Sequence, residues 1–153
     1  MTIPALFTIG YEQTRPEAVM AALKKAEVQL LVDTRAVAAS RKPGFSKRQL
    51  AATLDENGIA YLHLQKLGTP AEGRQAARSG QIDKLWRIYD THLKTHDAIE
   101  AMDELLSLVR SGRRVCLLCF ERDPGHCHRS RIAEIVRKRT GARVTDLMPE
   151  PAV

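Results

Sequence analysis

The sequence predicts an α/β fold, a single domain over residues 1–153 with a mostly parallel sheet of about five strands and helices on both faces. Short, nearly continuous apolar runs alternate with amphipathic segments from one end of the chain to the other. The 153 residues are the size of one ordinary domain, and no linker, repeat or low-complexity segment interrupts the alternation. Strands buried on both faces by helices require this pattern.

The individual elements follow from the apolar runs and their end signals. Five strands are predicted, at residues 6–9, 28–32, 59–64, 114–120 and 143–147. Pro16 begins the first helix, and Ser46 caps a second helix that stops at Asn57 and Gly58. Residues 71–111 are predicted to be helical, and a last helix is predicted over residues 131–140.

Polar side chains appear where three of these strands end. Right-handed crossovers place the carboxyl ends of parallel strands along one rim of the sheet. Residues 8–12, the segment from Asp33 to Phe45, and residues 119–130 should therefore converge there. The last of these segments, between an apolar strand and a helix, is the richest in reactive side chains.

Three residues of this rim are candidate catalytic groups. Glu121 fits a general acid or base, or the partner of an arginine. Asp33 fits a general base, or a structural ion pair with Arg35 two residues later. Cys119 fits a nucleophile or a small core residue, while Cys116 fits the core only.

A second set of rim residues suits an anionic ligand. The net charge of +6 and the pI near 9.5 favour a small anion or a nucleic acid as partner. Guanidinium groups, a histidine and the main chain at a helix start are typical phosphate contacts. The candidates are Gly10, Tyr11, Arg35, Arg41, His128, Arg129 and Ser130.

No cofactor is predicted, because the sequence lacks a Walker loop and a dinucleotide glycine pattern. Zinc is an alternative, with four candidate ligands in Cys119, His126, Cys127 and His128. The adjacent pair Cys127 and His128 is unfavourable for chelating one metal, so a metal-free site is the first expectation.

The three cysteines, an odd number without a secretion signal, predict a reducing compartment and no disulfide framework. No apolar run approaches the ~20 residues that span a bilayer, so neither a membrane segment nor a membrane partner is expected. The predicted location is cytoplasmic. The sequence does not predict an oligomeric state.

Several motifs of the chain resemble those of the DUF488 family. They are Thr8-Ile9-Gly10-Tyr11, Val32-Asp33-x-Arg35, Gly58-Ile59-x-Tyr61-x-His63-Leu64, and Cys119-x-Glu121-x-Asp123-Pro124-x-x-Cys127-His128-Arg129-Ser130. The resemblance covers nearly the whole chain. It implies an α/β domain with a polar site and no established reaction.

Three functional hypotheses are compatible with these residues. The leading one is an enzyme, with hydrolysis as its reaction, acting on a phosphate-bearing substrate such as a nucleotide or a nucleic acid. Arginines would bind the anion, and Glu121 with Asp33 would transfer protons. The alternatives are a non-catalytic nucleic-acid-binding module, using the basic residues 41–48, and the zinc-binding protein described above.

Overall fold

A computed structural model describes residues 3–152, except for the side chain of His126, and arranges them around one sheet. Its strands are β1 (Ala5–Gly10), β2 (Leu30–Asp33), β3 (Ala60–His63), β4 (Val115–Cys119) and β5 (Arg143–Leu147). The strand order is β3-β2-β4-β1-β5, and each neighbouring pair is parallel. The predicted α/β class with a parallel sheet is confirmed.

The helices are α1 (Pro16–Lys25), α2 (Lys47–Glu56), α3 (Ala71–Arg78), α4 (Ile82–His92), α5 (His96–Arg110) and α6 (His128–Thr140). Two short 3-10 turns, Gln65–Leu67 and Pro124–His126, lie between them. Within residues 3–152, no helix has both the length and the apolar composition that crossing a membrane requires.

The predicted start of the last helix, at residue 131, is wrong by three residues. Helix α6 begins at His128, and Cys127 takes the N-cap position. The hydroxyl of Ser130 donates a hydrogen bond of 2.8 Å to the carbonyl oxygen of Cys127. Ser130 therefore lies inside the first turn, where its hydroxyl satisfies a carbonyl group and caps no amide.

Alternate strand residues enter two apolar layers, one on each face of the sheet. Helices α1 and α2 cover one layer, which contains Phe7, Ile9, Leu31, Cys116 and Leu118. Helices α5 and α6 cover the other, which contains Leu6, Leu30, Val32, Val115 and Leu117. Cys116 is fully buried, as predicted for a core residue.

The strand order explains why the candidate site forms at one place. Strand β4 lies between β1 and β2, so Gly10 pairs with Cys119 and Asp33 pairs with Leu118. The three polar segments of the predicted rim thus leave three adjacent strands at nearly the same level. Their side chains share one crevice at the carboxyl edge of the sheet.

Candidate functional site

A cavity of about 710 Å³ opens at this edge of the sheet. Its wall includes residues from each of the three converging segments and from α3. Six of the residues singled out from the sequence lie on that wall: Tyr11, Arg35, Arg41, Cys119, Glu121 and His128. The volume lies within the range of roughly 300–1,000 Å³ typical of small-molecule sites.

Asp33 is fully buried and its carboxylate is occupied by neighbouring donors. Arg35 donates from Nε to Oδ1 at 2.9 Å and from Nη2 to Oδ2 at 2.7 Å, and the hydroxyl of Tyr61 donates to Oδ2 at 2.6 Å. Burial alone would lower the pKa of Arg35, but the hydrogen bonds and charge of Asp33 outweigh it and raise that pKa. Asp33 and Arg35 form the ion pair that was one of the two alternatives.

The same ion pair fixes the position of Arg35 on the cavity wall. Its Nη1 atom donates to the main-chain oxygen of Phe45 at 2.7 Å and to the hydroxyl of Tyr11 at 3.1 Å. The rings of Tyr11 and Phe45 are stacked with centroids 4.5 Å apart. The guanidinium is therefore held from several sides. Asp33 does not line the cavity itself, but it fixes the position of Arg35, which does.

Arg129 is fully buried, and its guanidinium is directed at the main chain. Nη1 donates to the carbonyl oxygen of Glu121, and Nη2 donates to that of Arg122 at 3.1 Å. Nη1 also lies 2.9 Å from Sγ of Cys119. Burial lowers the pKa of Arg129. Through these hydrogen bonds, Arg129 holds in place the segment that carries Glu121.

Glu121 follows strand β4 and lies on the cavity wall. One carboxylate oxygen, Oε2, is 3.6 Å from Sγ of Cys119. Burial raises the pKa of Glu121, and the charge of Arg129 opposes that rise only in part. Glu121 therefore retains its proton to a higher pH than an ordinary glutamate, which suits a general acid.

His128 is neutral near pH 7 because burial lowers its pKa to about 4. Its Nε2 atom lies 2.9 Å from the carbonyl oxygen of Thr34, which only accepts, so Nε2 carries the proton. The Nδ1 atom is then an acceptor, 3.7 Å from Sγ of Cys127. The imidazole presents its free lone pair to that sulfur.

Cys119 and Cys127 are joined by a disulfide bond. The expectation that the cysteines form no disulfide was wrong for this pair, while Cys116 is a free thiol. The 3-10 turn Pro124–His126 turns the chain back after β4, and this brings Cys127 beside Cys119. In this state the sulfur of Cys119 is not a nucleophile, because it is bonded to a second sulfur.

Three of the four residues proposed as zinc ligands lie close to one another. Donor atoms of Cys119, Cys127 and His128 are all within 4.8 Å of one another. The side chain of His126, the fourth candidate, lies outside the described part of the chain.

Gly10 does not line the cavity but sets the position of its wall. A Cβ atom at Gly10 would lie 1.8 Å from the carbonyl oxygen of Glu121. Only glycine allows the end of β1 to approach this segment so closely. Gly68 has the same relation to Ala36, whose main-chain nitrogen would be 2.3 Å from an added Cβ.

Sequence reasoning missed two arginines of the cavity. Arg74 and Arg78 project from α3 onto its wall, and Arg74 donates from Nη1 to the main-chain oxygen of Thr69 at 2.8 Å. The signal in the sequence was their spacing of four residues, which places both on one face of a helix. The position of α3 over the rim was not predictable from that spacing.

Comparison with known proteins gives one family match. The family model described as "Domain of unknown function DUF488" matches residues 15–136, most of the chain. The matched range includes the segment from Cys119 to Ser130 and the ion pair of Asp33 with Arg35. No curated protein matches the chain.

Proposed function

The chain belongs to the DUF488 family, and we propose that its arginine-rich cavity binds a phosphate-bearing substrate, a nucleotide or a segment of nucleic acid, and cleaves it hydrolytically. Glu121 is the general acid of this reaction. One observation carries the proposal: a glutamate with a raised pKa shares a cavity of substrate size with a cluster of arginines.

The charge of the wall supports an anionic substrate. Among residues 3–152, the cavity is lined by four arginines, Arg35, Arg41, Arg74 and Arg78. Asp33 neutralises Arg35, but the other three form no ion pair within the described part of the chain. A phosphate group would supply the missing counter-charge, and guanidinium groups bind phosphate oxygens in a bidentate manner.

The wall also offers apolar surface, which an inorganic anion would not need. Phe120 is 45% exposed and Val37 is 56% exposed, although both are large apolar side chains at the cavity. Exposed aromatic rings beside basic groups are a common surface for stacking of bases. A nucleotide can bind both the basic and the apolar part of the wall, with its phosphate against the arginines and its base against Phe120.

The chemical role of Glu121 follows from its protonation. Hydrolysis of a phosphate ester or a glycosidic bond leaves an oxygen or nitrogen that must gain a proton. Burial raises the pKa of Glu121, so this side chain keeps its proton to a higher pH than an ordinary glutamate and can supply that proton. His128 is neutral, and its Nδ1 atom faces Cys127, so we assign it no proton transfer to the substrate.

Binding can be tested by calorimetric titration of the full chain with adenosine 5′-monophosphate. The Arg74→Gln/Arg78→Gln double variant should raise Kd about tenfold or more, which is about 1.4 kcal/mol. Arg113→Gln/Arg139→Gln is the matched control, because it removes the same two charges from exposed positions outside the cavity. Equal loss of affinity in both variants would mean that only net charge attracts the nucleotide.

Catalysis can be tested with Glu121→Gln, which keeps the size of the side chain and removes its acid function. Nucleotides and short oligonucleotides are assayed for released phosphate and released base. The variant should bind normally and lose turnover by about 100-fold or more, the usual contribution of a general acid. Equal turnover of wild type and variant on a cleaved substrate would contradict the role of Glu121.

A non-catalytic nucleic-acid-binding module is the second candidate. Three basic side chains are exposed in this region: Arg41 on the cavity wall, and Lys47 and Arg48 at the start of α2. They would contact a phosphate backbone, so affinity for single-stranded DNA should fall steeply with salt. This candidate gains support if wild type binds DNA without cleaving any substrate and Glu121→Gln binds it as tightly or more tightly.

Zinc binding is a third candidate, supported by the proximity of Cys119, Cys127 and His128. The disulfide occupies both sulfurs, so a metal would require the reduced chain. Elemental analysis of the chain purified under reducing conditions tests it. Less than about half an equivalent of zinc per chain would remove this candidate.

A further inference from the structure

We propose that Cys119 and Cys127 form a thiol–disulfide exchange site that small anionic thiols reach through the arginine-rich cavity. The exchange reaction goes beyond the function proposed above. The preference for anionic thiols rests on the same arginines as the phosphate site.

The two sulfurs differ in their surroundings. Cys119 lies on the cavity wall, whereas Cys127 lies behind it at the N-cap of α6. Each residue is only 1% exposed, and of the two only Cys119 lines the cavity, so a thiol that enters the cavity meets the sulfur of Cys119 first. An incoming thiolate therefore attacks Sγ of Cys119, and Cys127 is the leaving group.

In the first step, a thiolate RS⁻ forms a bond to Sγ of Cys119 and the bond between the two cysteines breaks. The electron pair of that bond goes to Sγ of Cys127. The proton that RSH lost to solvent is returned to Cys127, and the new S–H group donates to Nδ1 of His128. In the oxidised chain, Sγ of Cys127 and Nδ1 of His128 are 3.7 Å apart. The products are a mixed disulfide at Cys119 and a thiol at Cys127.

In the second step, another thiolate attacks the sulfur of R in the mixed disulfide. RSSR leaves, and Sγ of Cys119 takes the electron pair as a thiolate. Nη1 of Arg129 lies 2.9 Å from that sulfur and carries the charge that stabilises it. In total, two RSH are oxidised to RSSR while the disulfide is reduced to a thiol at Cys127 and a thiolate at Cys119, and the second proton is released to solvent.

The reverse reaction uses the same groups. The Cys119 thiolate attacks RSSR, RS⁻ leaves, and Cys127 then displaces the second RS⁻ to restore the disulfide. Arg129 thus acts as a positioning residue for the sulfur of Cys119, through its charge and its bonds to the carbonyl groups of residues 121 and 122.

The attacked sulfur can be identified on the full-length chain. The reduced wild-type protein is treated briefly with iodoacetamide under native conditions and mapped by peptide mass spectrometry. Cys119 should be alkylated on the order of tenfold faster than Cys127, because a reactive thiolate needs access as well as charge. Faster labelling of Cys127, or a disulfide that never re-forms in air, would overturn the proposal.

Substitutions provide an independent check. Cys127→Ser should accumulate a stable mixed disulfide at Cys119 when it is mixed with oxidised 2-mercaptoethanesulfonate. Cys116→Ala is the matched control, because this buried thiol has no part in the exchange and its loss should leave the wild-type reaction unchanged. A Cys127→Ser chain that folds, as shown by circular dichroism, and forms no mixed disulfide would contradict the assignment.

The choice of thiol can be tested with three probes that share a two-carbon skeleton: 2-mercaptoethanesulfonate, 2-mercaptoethanol and cysteamine. Per thiolate, the sulfonate should reduce the disulfide about tenfold faster than cysteamine at low salt. Arg74→Gln/Arg78→Gln should bring this ratio toward one, while Arg113→Gln/Arg139→Gln should keep it. A ratio near one in wild type would refute the charge preference.

These measurements separate the two proposals. Normal exchange without nucleotide binding would refute only the phosphate site, and nucleotide binding with an inert disulfide would refute only the exchange reaction.

Discussion

Acidification should destabilise the fold through His128. In the folded chain the pKa of this imidazole is about 4, against an ordinary value of 6.5. The unfolded chain therefore binds a proton in this pH window that the folded chain excludes, and stability falls as pH drops from 6.5 toward 4. Between about pH 7 and about pH 4 the loss amounts to about 3 kcal/mol.

The assay is urea unfolding of the oxidised chain at both pH values, followed by far-ultraviolet circular dichroism. His128→Gln should lose about 3 kcal/mol less than wild type on acidification, because glutamine does not titrate and still offers a donor to the oxygen of Thr34. His96→Gln is the control, since His96 is exposed and should respond like wild type. Parallel losses in wild type and His128→Gln would refute the neutral imidazole.

Two pairs of substitutions test the residues that support the cavity wall. Gly10→Ala should destabilise the chain by about 3 kcal/mol in urea unfolding, because its Cβ would meet the main chain of Glu121; Gly80→Ala, which has open space and a φ of +75°, should cost only about 1 kcal/mol, and equal costs would contradict the close approach. Asp33→Asn should cost about 3 kcal/mol by leaving the buried guanidinium of its partner uncompensated. Tyr61→Phe removes one hydrogen bond to the same carboxylate and should cost about 1 kcal/mol, so a larger loss than for Asp33→Asn would contradict the dominance of the ion pair.

Local sequence patterns were sufficient for the five strands, each of which was predicted within two residues of its observed bounds. A buried parallel strand must be apolar on both faces, and 115–118 and 30–32 satisfy this with almost no polar interruption. Strand β5 coincides with the predicted residues 143–147. The convergence of three polar segments followed from the same reasoning, since parallel connections leave the carboxyl ends on one edge.

Tertiary contacts that no local pattern encodes account for the features that were missed. The disulfide depends on the turn at Pro124–His126, which brings residues eight positions apart together. Arg74 and Arg78 reach the cavity because α3 packs against α4 and the glycine at 68 lets its loop lie against Ala36. The burial of Arg129 depends on two carbonyl groups just after the end of β4, those of residues 121 and 122, and sequence spacing does not reveal this contact.

The central claim is that the converging segments and α3 form one cavity for a phosphate-bearing ligand. The most direct test is a crystal structure of the full chain soaked with adenosine 5′-monophosphate. The account predicts phosphate density in contact with at least two of Arg41, Arg74 and Arg78, with the base against Phe120. A nucleotide bound elsewhere, or a cavity that stays filled with water at millimolar nucleotide, would contradict it.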